Sequence, residues 1–337
     1  MPITANVKKY KDEDVIVLKS DCYEATIAPF IGSNILRLRN NEMDVEFFRY
    51  DDSISIEQLK AESVIYGMPT LFYGNRLGKG VLKASDYTYQ FTPNDAEGNY
   101  LHGFLHTRQH EIVSAEVRNS RAIGKTRYVY DEKDPLFETF PVKFTADFTF
   151  TLNDDGLYFE VTITNNSDRQ LPYSICNHTC INAPFTSTGK ALDSRIFATI
   201  GDEKWLLNNL CLPTTETAPL DNHDKQYQTG SMVPVEHVID NDVYPTVVAD
   251  MDGQPFRGAI ISDLASGKEI FYEIDDAFKF WIFWNHWGTK GFICPEPITW
   301  MIDAPNLPLH NEESGYIELA PGEAKTVKEH IYSKQRI

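Results

Sequence analysis

The stretch Lys143-Phe144-Thr145-Ala146-Asp147-Phe148-Thr149-Phe150-Thr151-Leu152 alternates strictly, with Phe144, Ala146, Phe148, Phe150 and Leu152 on one side. Side chains of a β-strand point alternately to its two faces, so this period of two predicts a half-buried strand rather than an amphipathic helix. Asn153-Asp154-Asp155-Gly156 has the composition of a turn. Beyond it, Leu157, Phe159, Val161 and Ile163 resume the alternation. Two such runs around a glycine-containing turn predict a long antiparallel hairpin, ending in the loop Asn165-Asn166-Ser167-Asp168.

The same style extends outward. Tyr23 to Leu38 reads as two strands joined across Pro29 to Gly32. Gly315 to Leu319, a Pro321-Gly322 turn and Val327 to Tyr332 repeat it near the other end. Phe278-Lys279-Phe280-Trp281-Ile282-Phe283-Trp284 is almost continuously apolar, as a strand covered on both faces would be. Helical periodicity is confined to a turn or two within Ser55 to Ser63. The irregular region 184–235 reads as long loops, which in compact β proteins tend to carry function. Neither a linker nor a fixed-period repeat divides the chain, so a single all-β, antiparallel domain over residues 1–337 is expected.

Composition narrows the functional classes. Twenty Phe, 17 Tyr and 5 Trp suit sheets and aromatic-lined pockets. Acidic residues outnumber basic ones 49 to 31, a formal charge of -18, which repels nucleic acid and anionic lipid. Five scattered cysteines are too few for a disulfide scaffold. No signal-type h-region is present, nor an apolar run of roughly 18 residues. A cytoplasmic location, with no membrane and no nucleic-acid partner, is the expectation.

Nucleotide motifs are missing: Gly74-Asn75-Arg76-Leu77-Gly78-Lys79 is one residue short of a P-loop. His102 and His106 have a zinc-like spacing, but Gly103 intervenes and no acidic residue completes the motif. Cys176 and Cys180 bracket His178 without a second cysteine pair nearby, so no metal site is expected. His178 follows the strand-like run from Leu171 to Cys176, where a side chain can face a concave surface. A buried structural histidine is the commoner role there, but a neutral imidazole also serves as a general acid near pH 7. Glu296 stands between two prolines in Cys294-Pro295-Glu296-Pro297, with Pro297 holding it extended. At the end of an apolar strand such a carboxylate should be a stronger base. An exposed turn glutamate is the alternative.

Five segments, in this order, resemble the aldose 1-epimerase (galactose mutarotase) family. They are Tyr23 to Gly32, Gly74-Asn75-Arg76-Leu77, Leu101-His102-Gly103, Asn177-His178-Thr179, and Cys294-Pro295-Glu296-Pro297 followed by Asp303-Ala304-Pro305-Asn306. Each alone is a weak signal, but together they span nearly the whole chain. The resemblance implies a large antiparallel β-sandwich of the galactose mutarotase-like supersandwich type. It further implies that Glu296 takes the proton from a sugar's anomeric hydroxyl and that His178 protonates the ring oxygen. The ring then opens, the C1–C2 bond rotates, and closure occurs on the other face. Asn75, Arg76 and His102 would hold a small-molecule sugar, with no metal or organic cofactor and with the protein a monomer. The family's later aspartate falls within Asp240-Asn241-Asp242-Val243-Tyr244, where the alignment lands on Asn241 and both Asp240 and Asp242 are candidates; Asp242 is preferred. Trp284 or Trp287 would either stack on the sugar or pack in the core. A free aldohexose is the expected substrate. A hexose 6-phosphate bound through Arg76, Lys79 and Lys83, or a sugar-binding protein without catalysis, are the rivals.

Overall fold

The computed structural model describes residues 2–336, so Met1 and Ile337, the ends of the expected domain, lie outside the described residues. The hairpin forms as expected, with strands Phe144–Asn153 and Gly156–Asn165 in antiparallel register. Phe144, Ala146, Phe148, Phe150 and Leu152 are all fully buried. Phe150 lies opposite Phe159, their rings stacked 5.0 Å apart. Each such side chain contributes about 1.5–3 kcal/mol by leaving water, and a one-residue slip would turn the whole set outward. The register is therefore fixed by burial.

These strands sit within an eight-stranded antiparallel sheet, which continues through Ala324–Gln335, Lys268–Ile274, Gly258–Asp263 and Ser194–Ala198. Facing it is a second large antiparallel sheet, here the pocket sheet. Its central strands are Asp240–Pro245, Phe280–Trp284 and Phe292–Ile298, with Cys176–Asn177 and Thr70–Leu71 beyond them. The Tyr272 and Trp281 rings, one from each sheet, meet edge to face at 5.9 Å, and one apolar core runs between the two layers. The architecture is all-β, an antiparallel β-sandwich. A five-stranded sheet from residues 4–46 flanks it, including Tyr23–Ala28 and Asn34–Asn40 on either side of the Pro29–Ile31 turn.

The short helix is Ile56–Ala61, capped by Ser55 Oγ accepting from the Gln58 N–H at 3.1 Å. The region 184–235 is more regular than expected. It holds the strands Ser194–Ala198, Glu203–Leu207 and Pro213–Pro219 and the helical turn Lys225–Thr229. Pro213–Pro219 lies at the sheet edge with most of its side chains in solvent, so it had no apolar alternation to display. No helix among the described residues is long and apolar enough to cross a membrane.

Candidate active site

Glu296 lies in the middle of the Phe292–Ile298 strand, whose seven residues are all buried, and not at a strand end or in a turn. It pairs with Ile282 of Phe280–Trp284 on one side. On the other side, Cys176 pairs with Ile298 and Ile181 with Ile293, and the ladder is broken between them. The break falls opposite Pro295 and Pro297, which have no N–H to offer. The intervening segment bonds elsewhere: His178 N–H donates to Pro69 O at 3.0 Å and Cys180 N–H to Gly67 O at 3.0 Å. The two prolines thus interrupt the sheet beside the one carboxylate between them.

His178 is held from behind. The side chain of neighbouring Asn177 donates to Glu329 Oε2 at 2.5 Å and accepts from Thr70 Oγ1 at 2.7 Å. Tyr272 donates its hydroxyl to the other Glu329 oxygen and accepts from Thr179 Oγ1 at 3.1 Å. The residues before and after His178 are therefore tied to the opposite sheet. Burial pushes Glu329 up to about 8 even though Tyr272 and Asn177 both donate to it. Sequence reading missed Glu329, although its position between inward-facing Val327 and Ile331 is an acidic residue in an apolar phase.

The outcome is a direct contact: His178 Nε2 lies 3.1 Å from Glu296 Oε1, with the side chains only 4% and 2% exposed. Burial pushes Glu296 well above the ordinary carboxylate range, and nearby Arg76 offsets this only in part. Burial likewise pushes His178 down to about 3. Both effects favour a neutral pair, a protonated carboxyl beside a neutral imidazole. It holds the same number of protons as a carboxylate–imidazolium pair, the two states differing only in the position of one proton.

The loops carrying Asn75, Arg76 and His102 meet because Arg76–Leu77 pairs with Tyr100–Leu101, and His102 N–H donates to Asn75 O at 2.8 Å. Asn75 and His102 both have positive φ, 55° and 66°, which turns their side chains out of the ladder. Asp303 fastens the first loop, its Oδ1 accepting from Gly78 N–H at 2.7 Å and from Asn306 Nδ2 at 2.6 Å. Arg76 donates from Nε to Asp95 Oδ2 at 3.0 Å, and the pair is largely buried. The His102 ring meets His178 edge to face at 5.3 Å, and burial followed by that neighbour pushes it well below the ordinary histidine value.

These groups enclose a cavity of about 370 Å³, within the usual range for small-ligand sites. Glu296, His178, Asn75, Arg76 and His102 all line it. Asp242 does not. A bulge between Asp240 and Asp242 puts Asn241 at φ 58°, and Asp240 and Asn241 line the cavity instead. Asp242 is in register with Phe283, and burial followed by the charge of Asp224 pushes it up to about 6. Both tryptophans line the cavity: Trp284 meets the His178 ring edge to face at 5.5 Å, and Trp287 is 57% exposed. Asp95, Glu97 and Cys211 also line it, on loops without periodicity to mark them. Lys79 and Lys83 are not among the lining residues. A larger cleft, about 590 Å³, lies by Tyr173, Lys279 and Tyr316 and contains no histidine.

The sequence profile of the aldose 1-epimerase family matches residues 14–332. Among solved structures, a galactose mutarotase-like protein from Clostridium acetobutylicum superposes with a TM-score of 0.95 at 26% identity, covering 98% of each chain. A galactose 1-epimerase from Lactobacillus acidophilus NCFM superposes at 0.75 with 14% identity, covering 99% of this chain and 100% of its own. An aldose epimerase homologue from C. elegans reaches 0.70 at 17% identity, covering 94% and 97%.

Proposed function

This chain belongs to the aldose 1-epimerase family, and from that premise we propose that it interconverts the α and β anomers of a free aldohexose by proton transfer through Glu296 and His178. The observation that carries this reading is the buried 3.1 Å contact between these two side chains beside the cavity. A sugar's O1 and ring oxygen are bonded to one carbon, so an adjacent acid and base reach both.

The protons balance. Opening begins with a Glu296 carboxylate and a His178 imidazolium. Glu296 takes the proton from O1–H, the C1–O1 bond becomes a carbonyl, the C1–ring-oxygen bond breaks, and His178 protonates the departing oxygen. The pair is then neutral, the state that burial favours and the one that ring closure needs. After rotation about C1–C2, Glu296 returns its proton to the carbonyl oxygen as the ring hydroxyl attacks, and His178 takes the hydroxyl's proton. Each transfer contributes about 10²–10⁴-fold. Asn75, Arg76 and His102 hydrogen-bond the sugar, and Asn241 takes the place expected of Asp242. The whole chain acts as one domain, as a monomer in the cytoplasm.

The rival substrate fits less well. Arg76 is the sole lysine or arginine lining the cavity among the described residues, it is already paired with Asp95, and Glu97 and Asp240 add negative charge. A phosphate needs several free cations. A protein that only binds sugar has no need for a buried carboxyl–imidazole pair. Polarimetry with fresh α-glucose, α-galactose, xylose and glucose 6-phosphate tests all three readings. At least one free sugar is expected to reach a kcat/KM tenfold above that of the phosphate. Faster turnover of the phosphate would reverse the choice of substrate, and no acceleration with any sugar would leave a binding protein.

Asp95 is expected to act on binding more than on chemistry. Replacing it by asparagine removes the charge that aims Arg76, and a charge-assisted hydrogen bond is worth about 1.5–3 kcal/mol. The Asp95→Asn enzyme should show a KM raised about tenfold or more with kcat within a few-fold of the parent, the signature of lost uniform binding. A kcat that falls with KM unchanged would place Asp95 in the chemical step instead.

A further inference from the structure

The strand that carries Glu296 also carries Cys294, two residues earlier and so on the same face. The segment that carries His178 carries Cys180, two residues later. The pairing of Ile181 with Ile293 sets Cys180 opposite Cys294. Ala183 N–H donates to Gly291 O at 2.8 Å, so the alternation of an antiparallel ladder makes Cys180 and Cys294 a non-hydrogen-bonded pair, where side chains approach most closely. Both thiols are free and fully buried, with their Sγ atoms 3.0 Å apart. Cys180 Sγ is also 3.6 Å from His178 Nδ1, and the three donor atoms all lie within 4.8 Å of one another.

We infer that His178 Nδ1, Cys180 Sγ and Cys294 Sγ form a binding site for one thiophilic d10 cation of the zinc and cadmium class, and that its occupancy withdraws His178 from proton transfer. One nitrogen and two sulfurs are a soft donor set, suited to zinc and its heavier congeners over magnesium or calcium. Two thiolates on a tetrahedral zinc, each at about 2.3 Å, stand roughly 3.8 Å apart. Small side-chain rotations open the present spacing that far. The second ring nitrogen faces the Glu296 carboxyl, and a carboxylate on the far nitrogen is the usual companion of a metal-bound histidine. Charge also fits: a lone thiolate is costly in this apolar setting, whereas a divalent cation with two thiolates is neutral overall. Binding replaces the two S–H protons with metal–sulfur bonds and releases both protons to solvent. Water from the adjoining cavity, which His178 lines, would complete the coordination.

The binding itself stands apart from the proposed reaction, but its effect on activity rests on that reading. An ion on Nδ1 leaves the proton on Nε2, aimed at Glu296, and prevents the ring from becoming the imidazolium that opening requires.

The test is a titration of the full chain with Cd²⁺ under a thiol-free phosphine reductant, followed by thiolate-to-cadmium charge-transfer absorbance and by polarimetry. Saturation at one ion per chain is expected, with mutarotation falling at least tenfold in step and returning on chelation. Cys180→Ser and Cys294→Ala, two independent variants in case one fails to fold, should each lose the saturable absorbance and keep basal activity during exposure to Cd²⁺. An unchanged absorbance in the variants would assign the ion to other thiols and overturn the site. Full occupancy without inhibition would overturn the link to His178. A parent inactive on every sugar, yet showing the band, would defeat the proposed function and leave the metal site standing.

Discussion

Glu296→Gln is expected to lower kcat for mutarotation by about 10²–10⁴-fold while leaving the fold intact. Glutamine matches the shape of glutamate, and its amide oxygen can accept from the His178 Nε2–H across the existing 3.1 Å contact. In so buried a position the wild-type carboxyl already favours its uncharged form, so a neutral amide adds no desolvation cost. What the amide cannot do is take the proton from O1. The sugar should therefore bind with a KM close to the parent's and remain in its starting anomer. Polarimetry of a fresh anomer, alongside thermal unfolding of the same variant, separates the two roles. A variant that melts early but turns over normally when folded would make Glu296 a structural residue. Near-full activity in a stable variant would remove it from the mechanism.

The sequence disclosed this site unevenly, for identifiable reasons. The hairpin around Asn153 to Gly156 was legible because one face of each strand is buried and the other wet, so alternation is written into the residues. Phe292–Ile298 is covered on both faces and carries two prolines, which argued for a turn after a strand and hid a strand. Sequence order could not show that those prolines lie opposite the break in the ladder where His178 is held. The choice between Asn241 and Asp242 turned on a bulge, which shifts facing by one residue and leaves composition unchanged. Asp95 and Glu97 sit in a loop where only contact with Arg76 and the cavity gives them meaning. Cys294 is far along the chain from Cys180, and their meeting is a matter of register alone. Local periodicity thus reveals elements, whereas the chemistry lies in pairings between them.

Gly103→Ala is expected to cost about 3–5 kcal/mol of folding stability and to raise KM for the sugar. Gly103 has φ 62°, and a Cβ there would stand 2.0 Å from Phe72 O and 2.1 Å from Tyr73 N. Both are main-chain atoms of a buried segment, so no flexible side chain can yield. Phe104 N–H also donates to Phe72 O at 3.2 Å, and forcing the chains apart strains that bond as well. Gly98 provides the contrast: its φ is 83°, yet a Cβ would meet nothing within 4 Å. Gly98→Ala should then cost only about 1 kcal/mol, the backbone term alone. Urea unfolding of the two variants isolates the price of close approach as their difference. The functional consequence follows from the neighbour, because His102 precedes Gly103 and lines the cavity. Displacing that loop moves the His102 ring, proposed to hold the sugar, while Glu296, on Phe292–Ile298, and His178, on the segment after Cys176–Asn177, stay paired. KM should therefore rise more than kcat falls. Equal losses in the two glycine variants would mean that Gly103 serves its backbone angle alone, and that the Leu-His-Gly segment does not need this contact to place its histidine.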